Sequence, residues 1–194
     1  MSSIIIEIPV NEINQTVVNL NYIHKAINGD CGVFSYFQGL RSGTLRMFSS
    51  LEPEETNCAK MYHAMLSKNL DKFSKIVPTN VDVLLTPPSC YPEHAKPYLE
   101  IAKLVSPSAI DLTSAFDRKK NSPKAGAKDT SLEEVISSLK YSPCGDEKHF
   151  KSLLIVDDIF SHGKTTYSLL IHLREAGMTE SCTVTVACPL WIKA

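Results

Sequence analysis

One segment, residues 153–166 with the sequence LLIVDDIFSHGKTT, constrains the fold more than any other part of the chain. Residues 152–156 form an apolar run, which is typical of a strand covered on both faces in a parallel sheet. Asp157 and Asp158, called the twin acids below, follow at its carboxyl end. Residues 165–176 then repeat apolar side chains at helical spacing. The segment therefore predicts a strand, a loop and a helix in succession.

The same alternation continues through the second part of the chain. Further strands are predicted at residues 81–85, 109–112 and 183–188. Helices are predicted at residues 93–105 and 131–139, and the second opens with the capping-box pattern SLEE. Strands that alternate with helices in this order predict an α/β fold with a doubly wound parallel sheet. Such sheets bind ligands at the carboxyl ends of their strands.

The 194 residues, of which 43% are hydrophobic, suit a single domain spanning 1–194. Residues 81–190 are predicted to form its core. Residues 1–80 are predicted to be an N-terminal elaboration or hood. Within that part, strands are predicted at residues 4–8 and 32–37, and a helix at residues 57–70.

Charge and cysteine usage exclude several classes of protein. Twenty Lys and Arg against 21 Asp and Glu give a net charge of -1, which argues against nucleic acid as the main ligand. No apolar stretch is long enough for a membrane span, and the first ten residues, MSSIIIEIPV, lack the basic region of a secretion signal. The six cysteines contain no C-x-x-C pair, and Cys90 with His94 supplies only two ligands, so reduced thiols are favoured over zinc. These observations predict a cytoplasmic protein.

The loop after the twin acids has the composition of an anion-binding site. Gly163 lets backbone N–H groups approach a phosphate closely, and the free first turn of the following helix favours negative charge. The hydroxyls of Ser161, Thr165 and Thr166 add further donors. The twin acids are suited to accept hydrogen bonds from vicinal sugar hydroxyls and to hold Mg²⁺. A sugar phosphate is therefore the predicted ligand class.

Two other interpretations of this loop stay open. Residues 163–165, Gly-Lys-Thr, match the end of a Walker A loop, but Asp158 stands where that motif requires its first glycine. Alternatively, the segment is an ordinary exposed turn and helix cap. In that case the repulsion between adjacent carboxylates at the end of a buried strand is left without a compensating metal or ligand.

Residues 117–129, DRKKNSPKAGAKD, have the composition of a linker and are predicted to form a long internal loop. A loop of this length inside a compact domain is usually a lid, a binding loop or disordered. Arg118, Lys119 and Lys120, called the charge run below, are equally compatible with a solvated surface.

The run VDDIFSHGKTT resembles the signature by which type I phosphoribosyltransferases bind phosphoribosyl pyrophosphate (PRPP): a strand and two acids precede a loop such as T-T-G-x-T. This resemblance implies that the twin acids hold the ribose 2- and 3-hydroxyls and Mg²⁺. It implies a 5-phosphate site formed by Ser161, His162, Gly163, Lys164, Thr165 and Thr166. His162 departs from the family, which usually has Thr or a small residue there.

The resemblance covers about residues 81–190 and is nearest in layout to the competence-associated, ComF-type members. It implies a pyrophosphate loop formed by Pro87, Pro88 and Ser89. It also implies that residues 111–129 are the flexible loop that closes over PRPP, with the charge run as its catalytic cations. The zinc-binding Cys pairs that often precede ComF-type domains are absent, and the first loop has no Arg or Lys before Lys96.

The resemblance thus implies an enzyme that transfers the phosphoribosyl group of PRPP to a nitrogen acceptor and releases pyrophosphate. A second hypothesis is a non-catalytic sensor that binds PRPP or a nucleotide and acts through a regulatory partner protein, as in bacterial defence systems such as retrons. The cation-poor first loop favours the sensor, because catalysis needs a working pyrophosphate site. The sequence names neither the acceptor nor the oligomeric state, including whether the chain forms a homo-oligomer.

Overall fold

The computed structural model describes residues 2–9, 15–27, 38–39, 57–89, 92–119, 122 and 130–193, without the side chains of 6–9, 15–16 and 57–63. The strands, in chain order, are β1 (Ser2–Pro9), β2 (Gln15–Ile27), β3 (Val83–Leu85), β4 (Ile110–Asp111), β5 (Phe116–Arg118), β6 (Leu139–Tyr141), β7 (Ser152–Val156), β8 (Ile159–Phe160) and β9 (Thr183–Lys193). The helices are α1 (Asn57–Ser74), α2 (Lys96–Val105), α3 (Leu132–Ser138) and α4 (Lys164–Glu175), and short 3-10 turns lie at Pro92–His94, Thr113–Ala115 and Glu147–His149.

Seven of these strands form one sheet in the order β1-β2-β9-β7-β3-β4, with β8 beside the end of β9. Every pairing in it is parallel except that of β1 with β2. The chain moves outward from β3 to β4 and then returns to β7 on the other side of β3. The winding direction therefore reverses between β3 and β7, which makes this point the topological switch of the sheet. β5 and β6 form a separate antiparallel ribbon.

Helices cover both faces of the sheet. Leu153 and Ile155 of β7 belong to the core that α4 closes, whereas Leu154 and Val156 belong to the core that α1 and α2 close. All four side chains are buried. Burial on both faces explains why β7 is an unbroken apolar run. The predicted α/β class, with a mostly parallel, doubly wound sheet, is confirmed.

Local signals set the ends of α3 and α4 as predicted. The Ser131 hydroxyl accepts the Glu134 N–H at 3.1 Å, and the Glu134 carboxylate accepts the Ser131 N–H at 2.6 Å. This is the predicted capping box. Gly163 directly precedes α4, and Gly177, with φ of 116°, follows its last turn. None of the helices in the described ranges combines the length and the apolarity needed to cross a lipid bilayer.

The N-terminal part joins the main sheet. β1 confirms the strand predicted at residues 4–8, and α1 confirms the helix predicted at residues 57–70 and extends it to Ser74. β2 was not predicted, yet it pairs with both β1 and β9 and buries Val18 and Leu20. The strand predicted at residues 32–37 lies outside the described residues.

β9 is longer than predicted. The strand was expected to end before Pro189, but it continues to Lys193. The register with β2 passes from Cys188 to Leu190 without a pair at the proline. On the other side, β9 pairs with β7 up to Ala187 and with β8 from Leu190 onward. Pro189 thus sits where β9 changes partners, and its missing N–H interrupts no ladder bond.

The ribbon shortens the predicted loop. Asp117 and Arg118 were expected in a loop, but they belong to β5 and pair with Lys140 and Leu139 of β6. The predicted helix at residues 93–105 is a 3-10 turn followed by α2. Leu104 of this helix is 76% exposed although its side chain is apolar. Tyr98 and Ala102, which are four residues apart, lie on the buried face of α2.

Candidate functional site

The switch point brings two predicted loops together. β3 and β7 are neighbours, with Leu85 opposite Ile155 in the register. Residues 86–89 follow β3 and the twin acids follow β7, so the predicted pyrophosphate loop and the predicted ribose site leave adjacent strand ends. The Thr86 N–H donates to Oγ1 of Thr113 at 3.1 Å, which fixes the loop after β3 to the turn after β4.

The twin acids are held in different ways. The Asp157 N–H donates to the Ala187 carbonyl at 3.1 Å, which continues the sheet by one residue. The Asp157 carboxylate accepts the Asp158 N–H at 2.8 Å. Burial, and then the negative charge of Asp158, raise the pKa of Asp157 well above its usual range. The pair therefore resists carrying two negative charges without a compensating cation.

A hard divalent cation fits this pair of acids. Mg²⁺ is usually bound in proteins by one or two carboxylates together with water and substrate phosphates. The twin acids supply such oxygens, and a cation relieves the repulsion that raises the pKa of Asp157. Across the described residues, no group of three or more His, Cys, Asp or Glu side chains is placed to hold a metal.

His94 lies beside the candidate site, and the sequence analysis did not place it there. Its Nδ1 lies 3.8 Å from Oδ2 of Asp158, and only 8% of the residue is exposed. The 3-10 turn after the β3 loop carries His94, so it reaches Asp158 from the neighbouring strand. The sequence related His94 only to Cys90, which lies outside the described residues. The parallel pairing of β3 with β7 brings residue 94 close to residue 158, and no spacing in the sequence indicates that pairing.

A pocket of about 40 Å³ opens beside the start of α4. Its lining residues are Asp157, Ile159, Phe160, Ser161, His162, Gly163, Lys164, Thr165 and Thr166. Gly163, the N-cap residue of α4, has a φ of 72°. It has no side chain that could accept a hydrogen bond from the first N–H groups of the helix. The first N–H groups of α4 therefore suit an anion. The structure thus gathers one of the twin acids and all six residues of the predicted 5-phosphate loop around a single pocket.

Lys164 is engaged with the protein itself. Its Nζ donates to the carbonyl of Thr130 at 2.7 Å, and Thr130 is buried. Thr130 directly precedes the capping box of α3, so this bond ties the loop to that helix. A Walker A lysine must reach the nucleotide phosphates. The bond to Thr130 therefore weakens the Walker A interpretation.

The charge run does not form a uniform set of exposed cations. Arg118 is half-buried and shares the inner face of the ribbon with Phe116 and Leu139, as the alternation along β5 and the register with β6 require. Lys119 is exposed, and Lys120 lies outside the described residues. The ribbon packs through β6 against α3 and α4. The catalytic role of these three cations stays a prediction.

Comparisons with known proteins do not assign the chain to a family. No family model matches it, and no curated protein is significantly similar to it. A crystal structure of purine phosphoribosyltransferase from Pyrococcus horikoshii Ot3 aligns over 87% of each chain, with 15% identity and a TM-score of 0.32. A TM-score this low does not establish a common fold. The fold class therefore rests on the sheet topology of this chain.

Proposed function

We propose that this protein binds PRPP with Mg²⁺ and transfers the phosphoribosyl group to a nitrogen acceptor, releasing pyrophosphate. The observation that carries the proposal is one pocket that combines an acid at the end of β7 with a left-handed Gly163 and the start of α4. Carboxylates suit ribose hydroxyls, and the helix start suits a 5-phosphate. The resemblance of residues 156–166 to the type I phosphoribosyltransferase signature supports the same ligand.

Each part of the site has a role in this reaction. The backbone N–H groups of residues 161–166 and of the first turn of α4 hold the 5-phosphate, which leaves the Lys164 side chain bonded to Thr130. The twin acids hold the ribose hydroxyls and Mg²⁺. Pro87, Pro88 and Ser89, at the neighbouring strand end, hold the pyrophosphate. Bound Mg²⁺ would neutralise charge on the departing pyrophosphate. The chain itself positions the ribose against the acceptor and excludes water, and no side-chain nucleophile is required.

Calorimetric titration with PRPP, with and without Mg²⁺, tests the proposal. Binding is expected only with Mg²⁺, and ribose 5-phosphate is expected to compete because one phosphate fills the loop. PRPP at 100 times its Kd is expected to stabilise the fold by about 2.7 kcal/mol. ATP is expected to give little thermal protection, because Lys164 is held by Thr130. A large thermal shift with ATP and none with PRPP would contradict the proposal.

A non-catalytic sensor for the same ligand is the second candidate. Residues 86–95 contain no Arg or Lys, so the loop after β3 offers a departing pyrophosphate few cations. A sensor of this kind binds PRPP but releases no pyrophosphate with any acceptor, and it acts through a partner protein, as in retron-like systems. Assay of pyrophosphate release against a panel of nucleobases separates the two candidates. Both place the protein in the cytoplasm, as the sequence predicts.

A further inference from the structure

We propose that His94 is a positioning residue for Asp158 and holds its carboxylate in the orientation that binds ribose hydroxyls and Mg²⁺. This inference rests on the proposed function and names a residue of the same site. Neither the acid-and-loop pattern nor the resemblance assigns His94 a role.

His94 joins the two loops of the switch point. The 3-10 turn Pro92–His94 follows the β3 loop, whereas Asp158 follows β7, and the two strands are paired in the sheet. Nδ1 of His94 lies 3.8 Å from Oδ2 of Asp158, with side-chain exposures of 9% and 16%. Two mostly buried side chains on adjacent strand ends have little freedom to separate. The fold therefore sets the distance between the loops at this contact.

The contact places a ring nitrogen of His94 beside the Asp158 carboxylate, at a distance longer than a hydrogen bond. The Asp157 carboxylate is already oriented by a backbone N–H, at 2.8 Å. An imidazole with a proton on Nδ1 can donate a hydrogen bond that orients the Asp158 carboxylate, whether the ring is neutral or charged. A shift of about 1 Å brings the pair to hydrogen-bond length, and contacts in ligand-free sites commonly tighten when the ligand binds. Residues that orient metal-binding side chains from behind typically contribute about 10–100-fold to affinity.

The surroundings allow this role to be separated from packing. α2 begins two residues after His94 and has its own anchors. Pro97, Tyr98 and Leu99 are buried, and the Tyr98 ring meets Phe73 edge-on with centroids 5.0 Å apart. A substitution at His94 is therefore expected to leave α2 in place. A loss of PRPP affinity in such a folded variant then reports on Asp158.

The experiment compares His94→Ala, His94→Asn and His94→Gln in the full chain, with the exposed His149→Ala as a control. The amide nitrogen of Asn occupies the place of imidazole Nδ1, whereas that of Gln occupies the place of Nε2. PRPP affinity is measured by calorimetry at fixed Mg²⁺, and Mg²⁺ is then titrated at fixed PRPP. His94→Ala is expected to weaken PRPP binding about 10–100-fold and to raise the Mg²⁺ requirement. His94→Asn is expected to restore most of the affinity, His94→Gln to restore little, and His149→Ala to change nothing.

The outcomes separate this inference from the proposed function. If the wild-type protein does not bind PRPP, the proposed function fails and the role of His94 fails with it. If the wild type binds and a folded His94→Ala variant binds equally well, this inference alone is wrong. If His94→Ala does not fold, the comparison of PRPP affinity between His94→Asn and His94→Gln tests the inference. Equal PRPP affinity in those two variants overturns the assignment to Nδ1.

Discussion

Asp157 lies at the end of β7, where burial and the neighbouring charge of Asp158 raise its pKa. An acid whose pKa is raised in the folded state adds stability below its unfolded pKa. That contribution is lost as the pH rises through the folded pKa. Ionisation of Asp157 therefore destabilises the ligand-free protein, and a bound cation reverses the effect. The same property that makes the ionised residue costly for folding is expected to favour a bound cation.

Asp157→Asn is expected to raise the melting temperature of the ligand-free protein, and the gain is expected to be larger in melts at high pH than in melts at low pH. A gain of about 1 kcal/mol corresponds to about 2–4 °C in a chain of this size. The variant is also expected to lose Mg²⁺-dependent PRPP binding. Asp71→Asn, which removes an exposed ion pair with Lys75, is the control and should change little. Thermal melts showing a less stable Asp157→Asn variant at the higher pH would contradict the raised pKa.

α4 has a positive-φ glycine next to each end, and the two glycines allow a matched comparison. Gly163 has a φ of 72° beside the candidate phosphate pocket, and Gly177 has a φ of 116° at the far end. Alanine at either position forces a side chain into the left-handed region, which costs about 1–2 kcal/mol of stability. A Cβ at Gly177 meets only Lys148 Cβ, at 4.0 Å, so its cost is backbone strain alone. Only Gly163→Ala is expected to weaken ribose 5-phosphate binding, measured by calorimetry. Equal weakening in both variants would show that the loop is not the phosphate site.

α3 is tied to α4 at two points. Nζ of Lys164 donates to the Thr130 carbonyl at 2.7 Å, and Nε2 of His172 lies 3.2 Å from the Ile136 carbonyl. Lys164→Met leaves the buried Thr130 carbonyl without this donor, which is expected to cost about 1–3 kcal/mol. Amide hydrogen exchange across α3 is expected to speed up in that variant, and Lys164→Arg, which keeps a cationic donor, should restore much of the protection. Unchanged exchange in Lys164→Met would show that the bond does not hold α3.

For the whole molecule, the accuracy of sequence-based prediction follows the range of the interactions. β7, α4 and the capping box of α3 were predicted, because burial on both faces, helical spacing and capping are visible within a few residues. β2 was missed because its polar and apolar residues become a strand only through pairing with β9, at the other end of the chain. His94 was missed for the same reason. Its approach to Asp158 depends on the pairing of β3 with β7, which no local spacing encodes.

Replacing Lys119 and Lys120 together with Ala distinguishes a transferase from a sensor. Negative charge on the departing pyrophosphate grows toward the transition state, so cations that meet it stabilise that state more than they stabilise bound PRPP. In a transferase, the double variant is expected to lower kcat for pyrophosphate release far more than it weakens PRPP binding. Arg118 is left intact because it lies on the inner face of the ribbon, and Lys140→Ala, on the outer face opposite Asp117, is the control that should change neither quantity. Unchanged kcat in an active double variant contradicts the role of the two lysines, whereas a wild-type protein that binds PRPP but releases pyrophosphate with no nucleobase is the sensor.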